Sequence, residues 1–189
     1  TMEQITTLPS VPPRASDAHK GDFGRLAIIG GAAGSLSDSP RMLGAPALCA
    51  RGAVRGGCGL VRLAIPAPIL DSVLAMSPFA TGYPLAVGAD GDLIAHEAAP
   101  VLDRLLLDND ALVIGTGMGR GEGITKVVVR ALAQEDIPIV VDADAINALA
   151  GTPDFSLDLR APAVFTPHPG EARRLCDAMG ITSDPTGNT

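Results

Sequence analysis

The sequence predicts an α/β fold in which helices cover both faces of a mainly parallel sheet. Short apolar segments alternate with segments of helical period along most of the 189 residues, which is the order of elements in such a fold. The strand segments are short and predominantly apolar, as strands buried on both faces are. The apolar share of 47% comes mainly from aliphatic residues, with no Trp, one Tyr and four Phe, and this composition disfavours a sandwich or barrel.

The first half of the chain predicts two strands, each followed by a helix. Apolar runs at 26–29 and 60–65 predict the strands, and helical spacing of apolar residues predicts helices at 45–55 and 69–76. Residues 78–92 contain Gly and Pro at several positions, so we expect turns there rather than a regular element.

The second half continues the same alternation. Its strands are indicated by the runs Leu-Val-Ile, Ile-Val-Val and Ala-Val-Phe, which are too short for helices. In chain order, the predicted elements are a helix at 97–107, a strand at 111–114, a helix at 123–134, a strand at 138–141, a helix at 145–150, a strand at 163–166 and a helix at 171–179.

Length and composition predict one domain over residues 19–189, preceded by an irregular lead-in at 1–18. The chain exceeds the commonest domain size but is too short for two comfortable domains. The lead-in is indicated by Pro9, Pro12 and Pro13. We find no internal repeat, low-complexity tract or linker in the rest of the chain.

The charge balance argues against nucleic acid and membrane partners. The net charge is −7, and Lys20 and Lys126 are the only lysines. Three cysteines without a CxxC pair indicate a reducing compartment and no structural zinc; the simplest interpretation is three small buried thiols. Because neither a signal-peptide pattern nor an apolar run long enough to span a bilayer is found, we expect a cytoplasmic protein.

A glycine loop, Gly115 to Gly121, follows one predicted strand and precedes a helix. In that position bare backbone can approach a phosphate or the face of a cofactor. The loop is not a GxGxxG fingerprint, because the third glycine would fall on Arg120 or Glu122, and the chain has no P-loop motif. A purely structural turn is the alternative.

Three polar residues follow the next two strands. Asp142 and Asp144 could hold a sugar hydroxyl, a metal-bound water or a neighbouring loop, although Asp144 could equally be a helix N-cap. Two carboxylates without a third ligand define no metal site. His168 could hydrogen-bond a ligand or act as an acid or base, or it could merely satisfy a loop carbonyl. His96 has the context of a surface residue, and the role of His19 is undetermined from its chemistry alone.

These motifs together resemble the NAD(P)H-hydrate dehydratases, a family of the ribokinase-like superfamily. The resemblance runs in order from His19 to about Leu175 and covers nearly the whole chain. It is carried by the segments His19-Lys20-Gly21-Asp22-Phe23-Gly24, Ile29-Gly30-Gly31, Gly44-Ala45, Gly56-Gly57-Cys58-Gly59-Leu60-Val61, Ile114-Gly115-Thr116-Gly117-Met118-Gly119, Val141-Asp142-Ala143-Asp144-Ala145-Ile146-Asn147 and Thr166-Pro167-His168-Pro169-Gly170-Glu171.

The resemblance implies a ribokinase-like three-layer α/β/α fold and repair of damaged nicotinamide cofactors. The hydrate of NADH or NADPH would be phosphorylated on its hydroxyl by ADP or ATP, with Mg²⁺ as the accompanying ion, and the ring nitrogen would then expel the phosphate. A homo-oligomer is also implied. The residues implied to line the substrate site are Ala45, Gly117, Gly119 and His168, with Lys20, Asp142 and Asn147 in supporting positions.

The chain departs from the family pattern at two places. The family's Gly-Pro-Gly-Leu-Gly is Gly115-Thr116-Gly117-Met118-Gly119 here, and loss of the proline is expected to loosen the turn. The family's Leu-Lys-Gly segment and its Gly-Thr-Gly-Asp motif, which supplies the catalytic aspartate, are not found up to Thr189, although Thr186-Gly187-Asn188 resembles the sequence before that motif. We therefore expect dinucleotide binding without turnover if these residues are the whole protein, and dehydration if the chain continues. A ribokinase-like kinase for a sugar or vitamin precursor and a non-catalytic binding module are the alternatives.

Overall fold

The computed structural model describes residues 13–35 and 40–182. Strands and helices alternate through these ranges, as the sequence predicts. The strands are β1 Arg25–Gly30, β2 Leu60–Pro66, β3 Thr81–Leu85, β4 Ala111–Thr116, β5 Ile139–Val141 and β6 Ala163–Phe165. The α-helices are α1 Gly44–Arg55, α2 Leu70–Met76, α3 Ala95–Asp108, α4 Glu122–Leu132, α5 Ala143–Ala150 and α6 Pro169–Ala178, and short 3-10 helices cover Lys20–Phe23, Ala67–Ile69 and Phe155–Leu157.

The six strands form one parallel sheet in the order β3-β2-β1-β4-β5-β6. The strand order reverses between β1 and β4, which are neighbours in the sheet although two strands separate them in the chain. In open parallel sheets a crevice forms beyond the carboxyl ends of the strands at such a reversal, and ligands bind there. All the strand-end motifs of the sequence lie along this carboxyl edge.

The sheet is covered on both faces, which confirms the predicted three-layer α/β/α arrangement. One apolar cluster joins α1 and α2 to side chains such as Ile28, Leu63 and Ile65, each 0% exposed. The other joins α3, α4 and α5 to the opposite face through residues such as Ile29 and Ile114. Burial of this much aliphatic surface on both sides explains why the strands show no alternation of polar and apolar residues.

The prediction of turns throughout residues 78–92 is wrong, because this segment contains β3. The strand pairs only with β2, so Pro84 can lie in it without removing a hydrogen bond from the middle of the sheet. A Cβ on Gly82 would lie 2.8 Å from Cδ1 of Leu74 and 2.9 Å from Cδ1 of Leu70. Glycine and proline, which read as turn signals, here allow α2 to pack on an edge strand.

The two ends of the chain are described only in part. Of the predicted lead-in at 1–18, residues 1–12 lie outside the described residues, and residues 13–18 form neither helix nor strand. The motif at 186–188 also lies outside them. Across residues 13–35 and 40–182, every helix falls short of the length and apolar character needed to cross a bilayer.

Candidate functional site

The reversal point of the sheet brings Ala45 and Gly117, two of the predicted substrate residues, into proximity. Gly117 has a φ of 67°, and a Cβ on it would lie 3.2 Å from Cβ of Ala45 in the first turn of α1. The neighbouring strand ends are tied by the N–H of Gly31, which donates to the carbonyl of Thr116 over 3.0 Å. Thr116 is the last residue of β4 and pairs with Gly30 of β1 in the sheet.

The glycine loop packs directly on the start of α5. A Cβ on Gly115, whose φ is 115°, would overlap the carbonyl oxygen of Asp142. Two residues further, the N–H of Gly119 donates to Oδ2 of Asp144 over 2.9 Å. These contacts place the loop over the ends of β4 and β5, so Gly117 and Gly119 border the same crevice.

The two aspartates have different partners from those expected. Helix α5 begins at Ala143, so Asp144 lies inside its first turn and is not its N-cap; the capping alternative for Asp144 is therefore wrong. Asp142 occupies the N-cap position but makes no side-chain capping bond. Its Oδ1 instead accepts a hydrogen bond from Oγ1 of Thr166 over 2.7 Å, which connects the ends of β5 and β6.

His168 caps the N-terminus of α6 and does not bond a loop carbonyl. Its Nδ1 accepts from the N–H groups of Gly170 and Glu171 at 3.0 and 3.4 Å, while Oε2 of Glu171 accepts from the His168 N–H at 3.0 Å. This is a capping box closed by a buried glutamate. Because Nδ1 is an acceptor, the neutral ring carries its proton on Nε2. The ring is 62% exposed, and its Nε2 lies 3.2 Å from Oε1 of the buried Glu171.

Asn147 and Arg174 connect α5 to α6. Oδ1 of Asn147 accepts from Nε and Nη2 of Arg174 at 3.0 and 2.8 Å. A Cβ on Gly170 would lie 3.6 Å from Nη1 of Arg174, so this pair reaches the His168 cap. Asn147 is therefore connected to the His168 cap through Arg174 of α6.

Two cavities flank the glycine loop and share Gly119, Arg120, Gly121 and Asp144. The first, of about 620 Å³, is also lined by Ala32, Gly34, Pro40 and Met42 and by residues 90–92. The second, of about 570 Å³, lies between the loop, α5 and α6 and is also lined by Asn147 and Arg174. Gly119 therefore lies at the border of both cavities, which makes it the most central of the predicted residues.

Asp92 is a site residue that the sequence did not reveal. Its carboxylate accepts hydrogen bonds from the N–H groups of Leu93, Gly123 and Ile124, at 2.8, 2.7 and 3.1 Å. It caps α4 from 31 residues away, where Gly121, the local N-cap, has no side chain to do so. Because that bond joins distant parts of the chain, no local sequence signal could have found it.

Lys20 is not brought to this edge of the sheet. It lies in the 3-10 helix before β1, where its carbonyl approaches Gly59 at the start of β2. That is the amino edge, opposite the crevice. His19 caps the same short helix by accepting from the Gly21 N–H at 3.1 Å, which gives this histidine a structural role.

Cys49, in α1, has the most strongly shifted pKa among the described residues. Burial, and secondarily the charge of Asp142, raise its pKa to about 11. The thiol is therefore protonated at neutral pH and is a poor nucleophile. We expect Cys49 to resist iodoacetamide at pH 8 in the folded protein and to react after urea denaturation, as measured by peptide mass spectrometry. Rapid labelling of native Cys49 would contradict this assignment.

The described residues do not supply a binding site for a metal ion. No three His, Cys, Asp or Glu side chains among them are placed to share an ion. Asp142 and Asp144 are already engaged by Thr166 and Gly119. A Mg²⁺ ion here would have to take most of its six oxygen ligands from water and from phosphate.

The fold and crevice define a ribokinase-like α/β protein. A ribokinase-like superfamily protein from Enterococcus faecalis V583 superposes with a TM-score of 0.64 at 22% identity, over 87% of this chain and 52% of that one. The chain belongs to the NAD(P)H-hydrate dehydratase family, whose model matches residues 27–188. The ADP/ATP-dependent NAD(P)H-hydrate dehydratase of Bacillus subtilis, co-crystallised with ATP/Mg²⁺, superposes with a TM-score of 0.61 at 26% identity, over 88% and 52% of the two chains.

Curated relatives agree in name and differ in length. The bifunctional NAD(P)H-hydrate repair enzyme of Salinibacter ruber is 38% identical over 174 residues, which are 92% of this chain and 31% of that protein. The ADP-dependent (S)-NAD(P)H-hydrate dehydratase of Neisseria meningitidis is 35% identical over 167 residues, or 86% and 49%. The chain thus spans between about a third and a half of the length of these relatives.

Proposed function

We propose that this chain binds the hydrate of NADH or NADPH and takes part in its dehydration at the expense of ADP or ATP. The observation that carries the proposal is the crevice at the sheet reversal, where Gly117 leaves bare backbone against Ala45. Membership of the dehydratase family supplies the reaction class. Backbone without side chains at a strand end allows a dinucleotide to approach closely.

The proposed chemistry proceeds in two steps. The nucleotide transfers a phosphoryl group to the hydroxyl of the hydrate, which turns a poor leaving group into a good one. The lone pair of the ring nitrogen then expels phosphate, and loss of a proton from the adjacent ring carbon restores the dihydropyridine. In this scheme Ala45, Gly117, Gly119 and His168 hold the substrate, while Asp142 and Asn147 support the loop and helix that carry them.

The remaining partners belong to the same proposal. Mg²⁺ would accompany the phosphates of the nucleotide, since phosphate and water oxygens are the ligands that this ion prefers. The protein would act in the cytoplasm as a homo-oligomer, on a small molecule rather than on nucleic acid or a membrane.

A direct test follows the recovery of NADH. The protein is mixed with NADH hydrate and either ADP or ATP, and absorbance at the dihydronicotinamide band is recorded. Recovery that requires the nucleotide supports dehydration. Hydrate binding without recovery would leave only a binding role for this chain. Nucleotide consumed only with a sugar or vitamin alcohol would indicate a kinase instead.

His168 gives the sharpest test of the binding site. The variant His168→Asn keeps a capping oxygen for the N–H groups of α6, so we expect its stability to stay within about 0.5 kcal/mol of the wild type. Its affinity for NADH hydrate, measured by calorimetry, should fall at least about tenfold if the imidazole touches the ligand.

His168→Ala serves as the paired variant. It removes both cap and ring, so it should lose about 1 kcal/mol of stability in addition to affinity. Unchanged affinity in His168→Asn would restrict His168 to its capping role.

A further inference from the structure

Ala143, between β5 and α5, has a backbone conformation that alanine adopts only at an energetic cost. Its φ is 46°, and it is one of two non-glycine residues with a positive φ in the described structure. The N–H of Ala145 donates to the carbonyl of Asp142 over 3.0 Å and closes a tight turn around it. Strain of this kind persists where the surrounding structure requires a particular geometry, so we asked what this turn places.

The turn separates two carboxylates that lie close in the sequence. Side chains two residues apart in a regular strand point to the same side. Here Asp142 accepts from Oγ1 of Thr166, after β6, over 2.7 Å, whereas Asp144 accepts from the N–H of Gly119, after β4, over 2.9 Å. Strands β6 and β4 are the two opposite neighbours of β5 in the sheet. The left-handed Ala143 therefore allows each carboxylate to bind a different neighbour.

The bond from Gly119 to Asp144 is the one hydrogen bond recorded for residues 117–120 among the parts of the chain that the structure describes. Gly117 and Gly119 have φ values of 67° and 78°, and glycine has the greatest backbone freedom of any residue. Met118 attaches the loop through its side chain, which is 3% exposed and packs in the core. Beyond Met118, the position of the loop backbone therefore depends on Asp144.

A carboxylate at this position is unfavourable for an anionic ligand. Asp144 lines both cavities that flank the glycine loop. NADH hydrate and NADPH hydrate each carry a negatively charged diphosphate, and like charges repel across a binding site. The charge of Asp144 alone would therefore lower the affinity for either hydrate. Its bond to the Gly119 N–H is a benefit that can offset this cost.

We propose that Asp144 is a positioning residue for the substrate site. It holds the Gly119 N–H, so that the wall shared by the two cavities keeps the shape that the hydrate of NADH or NADPH requires. Asp144 acts through the loop and does not contact the substrate. This inference rests on the proposed function, and it adds to the residues that support the loop.

The proposal predicts an effect opposite in sign to that of charge. Asp144→Ala removes a negative charge near an anionic ligand, yet its affinity for NADPH hydrate should fall about fivefold or more, because Gly119 loses its acceptor. Asp144→Asn keeps an acceptor oxygen without the charge, so it should bind at least as tightly as the wild type.

Asp177→Ala is the matched control. Asp177 lines the second cavity and has no recorded side-chain hydrogen bond in the described structure. Its removal takes one carboxylate from the same surroundings without releasing the loop. We expect this variant to bind NADPH hydrate as tightly as the wild type or more tightly.

The experiment combines calorimetric titration of the wild type and the three variants with amide NMR spectra of the ligand-free proteins. Thermal melts establish that each variant is folded at the titration temperature. In Asp144→Ala, the amide signals of Gly117 and Gly121 should shift together with that of Gly119, although neither residue is bonded to Asp144. Shifts confined to Gly119 would reduce the bond to a local contact and would overturn the proposal.

The affinities can overturn it in two further ways. Unchanged affinity in Asp144→Ala would show that the site does not depend on this bond. An equal loss in Asp144→Asn would show that the charge itself matters to the ligand, which a positioning role does not predict.

Failure of the positioning role differs from failure of the proposed function. If the wild type binds the hydrate and Asp144→Ala binds it equally well, the positioning role is wrong and the proposed function stands. If the wild type does not bind the hydrate, the proposed function fails. The amide signals of Gly117 and Gly121 then decide whether Asp144 orders the loop: shifts in Asp144→Ala would support that role, and unchanged signals would exclude it.

Discussion

Gly115→Ala is expected to destabilise the protein by more than about 4 kcal/mol or to prevent folding. A Cβ at this position would overlap the carbonyl oxygen of Asp142 and lie 2.7 Å from Cβ of Ala145. The φ of 115° is also one that alanine rarely adopts. Because the obstructing atoms belong to the backbone and to a buried helix, no side-chain rotation can relieve the overlap. Urea denaturation followed by circular dichroism measures the loss.

Gly52→Ala is the matched control for this substitution. Gly52 lies inside α1, and a Cβ there meets nothing within 4 Å. Removing a glycine from a helix interior should raise stability by about 0.5–1 kcal/mol. If Gly115→Ala unfolded at the same urea concentration as the wild type, the close approach of β4 to α5 would be refuted.

Asp92→Ala is expected to cost about 2–3 kcal/mol. The substitution removes a charged acceptor from the N–H groups of Leu93, Gly123 and Ile124 and leaves the N-terminus of α4 without a cap. The effect should be larger than that of an ordinary cap, because the bonds also tie the 90–92 segment to the first turn of α4. Equilibrium urea unfolding is again the measurement.

Two further variants define what Asp92 does. Asp158→Ala removes an exposed carboxylate with no recorded side-chain hydrogen bond in the described structure and should change stability by less than about 0.5 kcal/mol. Asp92→Asn keeps an acceptor oxygen but loses the charge, and it should fall between the wild type and Asp92→Ala. Equal stability of Asp92→Ala and Asp158→Ala would exclude the cap.

Most of the fold was predictable because buried strands and amphipathic helices leave strong periodic signals. The strands other than β3 were predicted within about two residues at each end. The exception, β3, contains Gly82 and Pro84, which act as turn signals locally. β3 can contain both residues because it pairs with one strand, β2, and because α2 packs against it. Neither feature can be read from a short stretch of sequence.

Site residues that directly follow a strand could be predicted from the sequence. Residues that reach the site through contacts between distant parts of the chain were harder to predict. Gly117 and Gly119 border the crevice because they follow β4. Lys20 belongs to the same family motif series, yet it precedes β1 and therefore lies at the opposite edge. The capping role of Asp92 depends on where α4 begins relative to the 90–92 segment, which only the assembled chain determines. The cap formed by His168 is local, because its partners are Gly170 and Glu171.

The reversal in strand order also has a consequence for how the molecule forms. The β1–β2–β3 and β4–β5–β6 halves are each built from consecutive strands, so each can condense through short loop closures. The seam between them, marked by the bond from the Arg25 N–H to Oδ2 of Asp110, joins residues 85 positions apart. Closing so long a loop is entropically slow. Because the crevice lies across this seam, we expect ligand-binding competence to emerge in the last kinetic phase of refolding, after most helical signal has returned.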